Sequence, residues 1–93
     1  MKGLSDEQLD ELLRALSHAD RRMFVRLCKA RAVPAGELAE QSQLALASVS
    51  EHLKVLRKTG LLDLERDGRF RLYRTNQKLL SAVLATLAKL EES

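Results

Sequence analysis

Residues 49–62 read VSEHLKVLRKTGLL and decide the fold. Together with the residues just before them, they predict a helix from Leu46 to Thr59. Gly60 then ends this helix, because glycine readily takes the left-handed conformation at a helix C-terminus. The apolar side chains share one helical face, at about 100° per residue: Leu46, Val49, Leu53 and Leu56. The opposite face should carry Ala47, Ser48, Glu51, Lys54, Val55 and Lys58.

A shorter helix is predicted upstream, from Ala35 to Gln41, and the polar pair Ser42-Gln43 separates it from the helix that begins at Leu46. Pro34 suits the first turn of this helix better than the interior of the preceding one. Two helices at this spacing indicate a helix-turn-helix.

A β-hairpin is predicted downstream. The runs Leu62 to Arg66 and Arg69 to Arg74 flank Asp67-Gly68. A two-residue Asp-Gly link favours a tight turn, because both positions can take positive φ. The hairpin would form the wing of a winged helix-turn-helix.

Amphipathic helices are predicted towards both ends of the chain. Ser5 and Gln8 have the spacing of a capping box and would start a helix over residues 6–16. A second helix should begin near Asp20, with Phe24, Leu27 and Cys28 inward. The last segment, residues 77–90, is apolar around most of its circumference.

The last helix carries more apolar surface than a small monomer can cover, so we expect self-association. The alternative is a single central helix wrapped by the rest of one domain. We assign dimerisation to the terminal helices. Their predicted interface residues are Leu9, Leu12, Leu13, Leu80, Val83, Leu84 and Leu87.

Composition and charge limit the classes of function that the chain can have. The 93 residues suffice for a single domain over 1–93. The net charge is only +3, but residues 52–78 are rich in Lys and Arg, which suggests a face for a polyanion; a solvated surface of mixed charge is the alternative. No apolar stretch approaches the roughly 20 residues of a membrane span, and the N-terminus is not signal-like, so a cytoplasmic location is expected.

A mainly α fold with a small β-hairpin follows: a dimeric winged helix-turn-helix of about five helices plus a two-stranded wing. In this arrangement the second helix of the motif enters the major groove and the wing reaches the flanking backbone. Arg and Lys neutralise phosphates, and the short side chains of Ala47 and Ser48 let the helix approach the bases. Double-stranded DNA is the predicted partner.

The sequence resembles the ArsR/SmtB family over about Leu13 to Leu90. The segments that carry the resemblance are Leu16-Ser17-His18-Ala19-Asp20-Arg21, Gly36-Glu37-Leu38-Ala39-Glu40, residues 49–62, Gly68-Arg69 and Tyr73-Arg74. The resemblance implies a dimer held by the first and last helices, a symmetric operator, and repression relieved by an inducer. It also implies DNA contacts from Ser48, Ser50, His52, Lys54, Arg57, Arg69 and Arg71; the outward helix face adds Ala47, Glu51 and Lys58.

The family's usual metal ligands are missing. Members that sense soft metals carry cysteines at the start of the first motif helix, where this chain has Pro34 and Gly36. Others use the last helix, which here has no His, Asp or Cys between residues 77 and 90. We therefore predict neither a metal nor another cofactor, and the inducer stays unknown. His18, Cys28 and His52 lie on separate segments without ligand-pair spacing.

Several residues keep two interpretations. Cys28 shares an apolar face and packs inside, or it serves as a thiol redox sensor. His52 contacts DNA or has a structural role. Glu51 accepts a hydrogen bond from a cytosine amino group or has no role in recognition. Ala45 and Leu46 stand where the family often has polar residues, which leaves the start of this helix without a cap.

The leading functional prediction is a homodimeric repressor that binds an inverted repeat. A protein-interaction adaptor that docks through the last helix is the alternative from another class. The residues assemble no phosphate loop, paired acids or nucleophile with a base, so an enzyme is not predicted.

Overall fold

The computed structural model describes residues 3–92; residues 1, 2 and 93, which the predicted single domain also includes, lie outside the described part. The described elements are α1 (Asp6–Ala15), α2 (Ala19–Ala30), β1 (Val33–Pro34), α3 (Ala35–Ser42), α4 (Leu46–Thr59), β2 (Leu62–Asp67), β3 (Phe70–Thr75), α5 (Gln77–Ala88) and a 3-10 turn (Lys89–Glu92). This is the predicted winged helix-turn-helix.

The helix-turn-helix consists of α3 and α4, with bounds close to those predicted. Gln43 ends α3 at φ 59°, and Gly60 ends α4 at φ 87°, so both ends turn through the left-handed region. Helix α4 does begin at Leu46, although Ala45 has no side-chain oxygen to cap it. The backbone at Gly60 also lies close to α5, because an added Cβ would be 3.3 Å from Leu79 Cδ2.

The sheet has three strands in the order β1-β3-β2, so the predicted two-stranded wing was incomplete. The extra strand pairs Val33 with Tyr73 and Pro34 with Leu72. Pro34 fits here because β1 lies at the sheet edge, where a missing N–H is tolerated. A two-residue strand is too short to show an alternating pattern, which is why periodicity missed it.

The wing turn differs from the prediction by one residue. Asp67 pairs with Phe70, so the two-residue loop is Gly68-Arg69 and not Asp67-Gly68. Gly68 has φ 61°, whereas neither Asp67 nor Arg69 has positive φ. Positive φ at the first loop position alone is the pattern of a type II′ turn, which favours glycine there.

The core joins every helix to the sheet. Its fully buried large side chains include Phe24, Val33, Leu38, Val49, Leu53, Leu56, Leu61, Leu62 and Val83. Thr75 is buried as well, and its hydroxyl donates to the Val25 carbonyl at 2.7 Å, which ties β3 to α2. Leu61 and Leu62 directly follow α4, so the core holds the wing and α4 in a fixed relation.

Three predicted placements were wrong. Leu12 and Val83 are 3% and 1% exposed in the single chain, so they belong to its own core and not to an interface. Leu46, expected on the inner face, is 57% exposed because the first turn of α4 projects beyond the core. Periodicity identifies a face of a helix but not the point at which the supporting core ends.

Within residues 3–92, the helices are too short or too polar to cross a membrane.

Candidate DNA-binding surface

A groove runs between α4 and the wing and has a volume of about 520 Å³. We call it the cationic groove. Its lining residues are Ser50, Leu53, Lys54, Arg57, Lys58, Arg71 and Tyr73. Three of its cations come from α4 and one from β3, so packing of the hairpin against the motif brings them together.

The register of the hairpin explains which side chains face the groove. Successive strand residues point to opposite faces of a sheet, and directly paired residues point to the same face. Arg71 lines the groove and pairs with Arg66, so Arg66 lies on the same face. We call this the groove face of the wing, and the other side, which carries Glu65 and Arg74, the outer face.

The groove face places two like charges opposite each other. Paired side chains on a face have Cβ atoms about 4.5–5.5 Å apart, and like charges there are destabilising. Among residues 3–92 the ion pairs are Glu11 with Arg14, Arg31 with Glu37, and Glu65 with Arg74. None of them neutralises a residue of the cationic groove, so this surface suits an external polyanion.

The N-terminal part of α4 contributes a second, shallower depression. Ala47, Ser48, Glu51 and His52 line it, and the first turn of α4 carries no acidic residue. All the predicted DNA-contacting residues are exposed except His52, which is half-buried. Lys54, Arg57, Lys58 and Arg71 therefore share one groove, whereas Ala47, Ser48, Glu51 and His52 share its neighbour on the same helix.

His52 has an inward partner that the sequence did not reveal. Its Nδ1 atom accepts a hydrogen bond from Arg21 Nε on α2 at 3.0 Å. The ring lies 5.4 Å from the His18 ring and 6.3 Å from the Phe24 ring. Burial lowers the pKa of His52, and the positive charge of Arg21 and then His18 lower it further, against a smaller opposite effect of Asp20.

Cys28 is fully buried among the apolar side chains of the core. Burial raises the pKa of the Cys28 thiol to about 11, with a lowering effect from Arg31 and a smaller raising effect from Glu37. At neutral pH the sulfur is therefore the unreactive thiol. This favours the packing interpretation over the redox one.

Among residues 3–92, no three His, Cys, Asp or Glu side chains lie close enough together to hold a metal ion. His18, Cys28 and His52 are no exception.

A second exposed surface is apolar and lies mainly on α5. Leu84 is 59% exposed, and Leu13 of α1 is 38% exposed. A cleft of about 510 Å³ follows α5 along Gln77, Lys78, Ser81, Ala82 and Ala85. Of the other predicted interface residues, Leu9, Leu80 and Leu87 are half-buried.

The fold and the two surfaces define a winged helix-turn-helix protein of the DNA-binding type. A family model described as a helix-turn-helix domain matches residues 16–65. The HTH-type transcriptional regulator YgaV of Escherichia coli (strain K12) is 37% identical over 86 residues, which cover 89% of this chain and 85% of YgaV. The transcriptional repressor SdpR of Bacillus subtilis (strain 168) is 29% identical over 72 residues, 77% of this chain and 80% of SdpR.

Solved structures agree with these relatives. The crystal structure of an ArsR family transcriptional regulator matches with a TM-score of 0.84 and 27% identity, over 98% of this chain and 94% of that one. The chain therefore belongs to the ArsR-like winged helix-turn-helix transcriptional regulators. The resemblance inferred from the sequence is confirmed.

Proposed function

We propose that this regulator is a homodimeric repressor that binds an inverted-repeat operator through the cationic groove and the N-terminal part of α4. The observation that carries the proposal is the Arg66–Arg71 pair. These opposed charges weaken the isolated hairpin, and a phosphate between them would turn the repulsion into two attractive contacts.

The contacts divide by chemistry. Lys54, Arg57, Lys58, Arg69 and Arg71 carry cations suited to phosphates, which position a protein on DNA. Ala47, Ser48, Ser50, Glu51 and His52 belong to the helix proposed for the major groove, where base edges are read. In this proposal the Glu51 carboxylate accepts a hydrogen bond from a cytosine amino group, because it would repel a phosphate.

The dimer follows from the apolar surface. Leu84, Leu13 and the α5 cleft would be covered by a second copy, with half-buried Leu9, Leu80 and Leu87 at the margin of the contact. A neighbouring structure from Mycobacterium bovis, with a TM-score of 0.75 and 21% identity, is described as a homodimeric winged helix-turn-helix DNA-binding domain. In a symmetric dimer, recognition helices about 34 Å apart match one turn of DNA.

Repression, and not activation, is the direction we propose, and SdpR is named a transcriptional repressor. The inducer is not a metal bound at the family's usual positions, since Pro34 and Gly36 offer no ligand. A cytoplasmic regulator without enzymatic activity is consistent with relatives that are named as transcriptional regulators.

The test selects a duplex from a random pool with the full chain and then measures its affinity over a range of salt concentrations. We expect an inverted repeat and a steep salt dependence, with a log–log slope of about −0.9 per phosphate contacted. Placed between a promoter and a reporter gene, the selected repeat should lower transcription when the protein is present. A chain that stays monomeric at micromolar concentration and ignores duplexes in dilute buffer overturns the proposal.

Two variants distinguish the DNA-binding repressor from the protein-interaction adaptor. Lys54→Ala with Arg69→Ala removes two cations from the DNA surface, whereas Leu84→Glu places a charge on the exposed α5 face. If repression survives the first change and is lost with Leu84→Glu, the DNA-binding role is wrong and α5 docks another protein. Leu84 is the better probe than Val83, whose substitution would unfold the core.

A further inference from the structure

The guanidinium of Arg21, on α2, contacts two other helices. Its Nε atom donates to His52 Nδ1 on α4 at 3.0 Å. Its Nη1 atom lies 3.5 Å from the carbonyl oxygens of both Arg14 and Ala15, at the end of α1. Arg21 itself belongs to α2, so one side chain joins the end of α1 to the helix proposed to read DNA.

The bond determines which nitrogen of His52 carries the proton. An arginine Nε can only donate, so Nδ1 must offer its lone pair and the ring proton must sit on Nε2. Burial and the nearby Arg21 and His18 lower the pKa of His52, although Asp20 opposes them, so the ring is neutral at pH 7. A protonated ring would have no acceptor left for Arg21.

The same ring also reaches the DNA-binding surface. Together with Ala47, Ser48 and Glu51 it lines the shallow depression on the N-terminal part of α4. With Nδ1 occupied by Arg21, Nε2–H remains as a hydrogen-bond donor. Phosphate oxygens and purine N7 atoms are acceptors for such a group.

We propose that Arg21 is a positioning residue for DNA recognition: by tying the end of α1 to His52, it holds α4 in place and presents His52 as a donor to the duplex. Arg21 acts through His52 and does not touch DNA itself. The inference rests on the proposed DNA-binding function. It adds a path within one protomer from α1, a proposed dimerisation helix, to the recognition helix.

The test compares Arg21→Met with Arg22→Met on the selected inverted-repeat duplex. Arg22 is a matched control, because its Nη1 donates to the Leu16 carbonyl at 2.7 Å, at the same end of α1. Both variants lose one positive charge from α2. At pH 8 we expect Arg21→Met to weaken binding about tenfold more than Arg22→Met, a typical coupling between sites.

The pH profile supplies a readout that a merely structural role would not move. Once the pH falls below the lowered pKa of His52, the ring becomes protonated and can no longer accept from Arg21, so the tenfold difference should shrink towards none at the acid end of the profile. If Arg21 only stabilised the end of α1, the difference would be the same throughout the profile. Arg21→Lys, which keeps the charge but not the Nε donor, replaces Arg21→Met if the latter does not fold.

Changes at His52 complete a double-mutant cycle. In a His52→Asn background the amide oxygen takes the place of Nδ1 and does not titrate, so the loss caused by Arg21→Met should be the same throughout the pH profile. In a His52→Ala background, Arg21→Met should cost no more than Arg22→Met. Equal losses for the two arginine variants in the wild-type background at pH 8 overturn the inference. A wild-type chain that binds no duplex overturns the proposed function instead.

Discussion

The two faces of the wing differ in how their charges are balanced. On the outer face Arg74 Nε donates to Glu65 Oε1 at 2.7 Å, so these two opposite charges pair within the hairpin, on the face that also carries Asp63 and Asp67. On the groove face Arg66 stands opposite Arg71, and the other charged residues that line the groove are the cations of α4. One strand pair therefore carries one face with an internal ion pair and one face on which two like charges stand opposite each other.

This difference separates folding from function. The outer face stabilises the hairpin modestly, as exposed ion pairs do. The Arg66–Arg71 pair on the groove face opposes folding and becomes favourable when an anion lies against it. Substitutions at the outer ion pair should thus change stability without changing DNA affinity, whereas removal of a groove-face arginine should raise stability and weaken DNA binding.

Reversing charge in the groove should have the largest effect. In Lys54→Glu with Arg71→Glu, two carboxylates would face phosphates, and juxtaposed like charges cost several kcal/mol in binding; we expect duplex affinity to fall at least about 100-fold. The control is Arg26→Glu with Lys29→Glu on α2, which changes the net charge equally outside the groove. Fluorescence anisotropy on the selected duplex measures both. Equal losses would mean that net charge, and not the groove, governs binding.

Arg66→Thr should produce opposite signs in two measurements. It removes the like-charge pair and adds a β-branched residue, so the free energy of unfolding should rise by about 0.2–1 kcal/mol. It also removes one phosphate contact from each protomer, two in the dimer, so the salt dependence of binding should become shallower by about 1.8 in log–log slope. Urea unfolding and salt titrations give the two values. A protein that is both less stable and equally salt-sensitive would contradict the assignment of Arg66 to the groove face.

The sequence predicted these elements well where its signals were local and long. The bounds of α4, the glycine at its end and the capping box of α1, in which Ser5 and Gln8 hydrogen-bond reciprocally, are each encoded within a few neighbouring residues. The wing turn was displaced by one residue because Asp67-Gly68 and Gly68-Arg69 are both acceptable loops. Only the pairing of Asp67 with Phe70 decides between them.

The features that the sequence did not predict depend on distant contacts. Nothing near Arg66 indicates that it faces Arg71, and nothing near His52 indicates Arg21, which lies 31 residues away. Periodicity also placed Leu12 and Val83 on an apolar face without showing whether that face meets the core or a partner. The sequence offered candidate site residues by type, whereas their pairing could be found only from the fold.

A substitution in the turn of the wing should have a smaller effect, on the free energy of unfolding. Gly68 has φ 61° and open space around it, so Gly68→Ala is opposed by backbone strain and not by a clash; we expect a loss of about 1 kcal/mol. Gly36→Ala is the control, since Gly36 lies in α3 without positive φ and should gain about 0.4–1 kcal/mol. Urea unfolding compares them. Similar stabilities for the two variants would show that the turn does not constrain the wing.

Breaking the outer ion pair should have the smallest effect. Glu65 and Arg74 are each nearly half exposed, so solvent screens their attraction, and Glu65→Gln should lower the free energy of unfolding by at most about 1 kcal/mol. Duplex affinity should stay within error of wild type, because neither residue lines the cationic groove. Arg74→Gln is the matched partner and should cost at least as much, since Arg74 also lies opposite Asp63. A marked loss of affinity in Arg74→Gln alone would place the outer face on the DNA, and the contrast between the two faces would no longer hold.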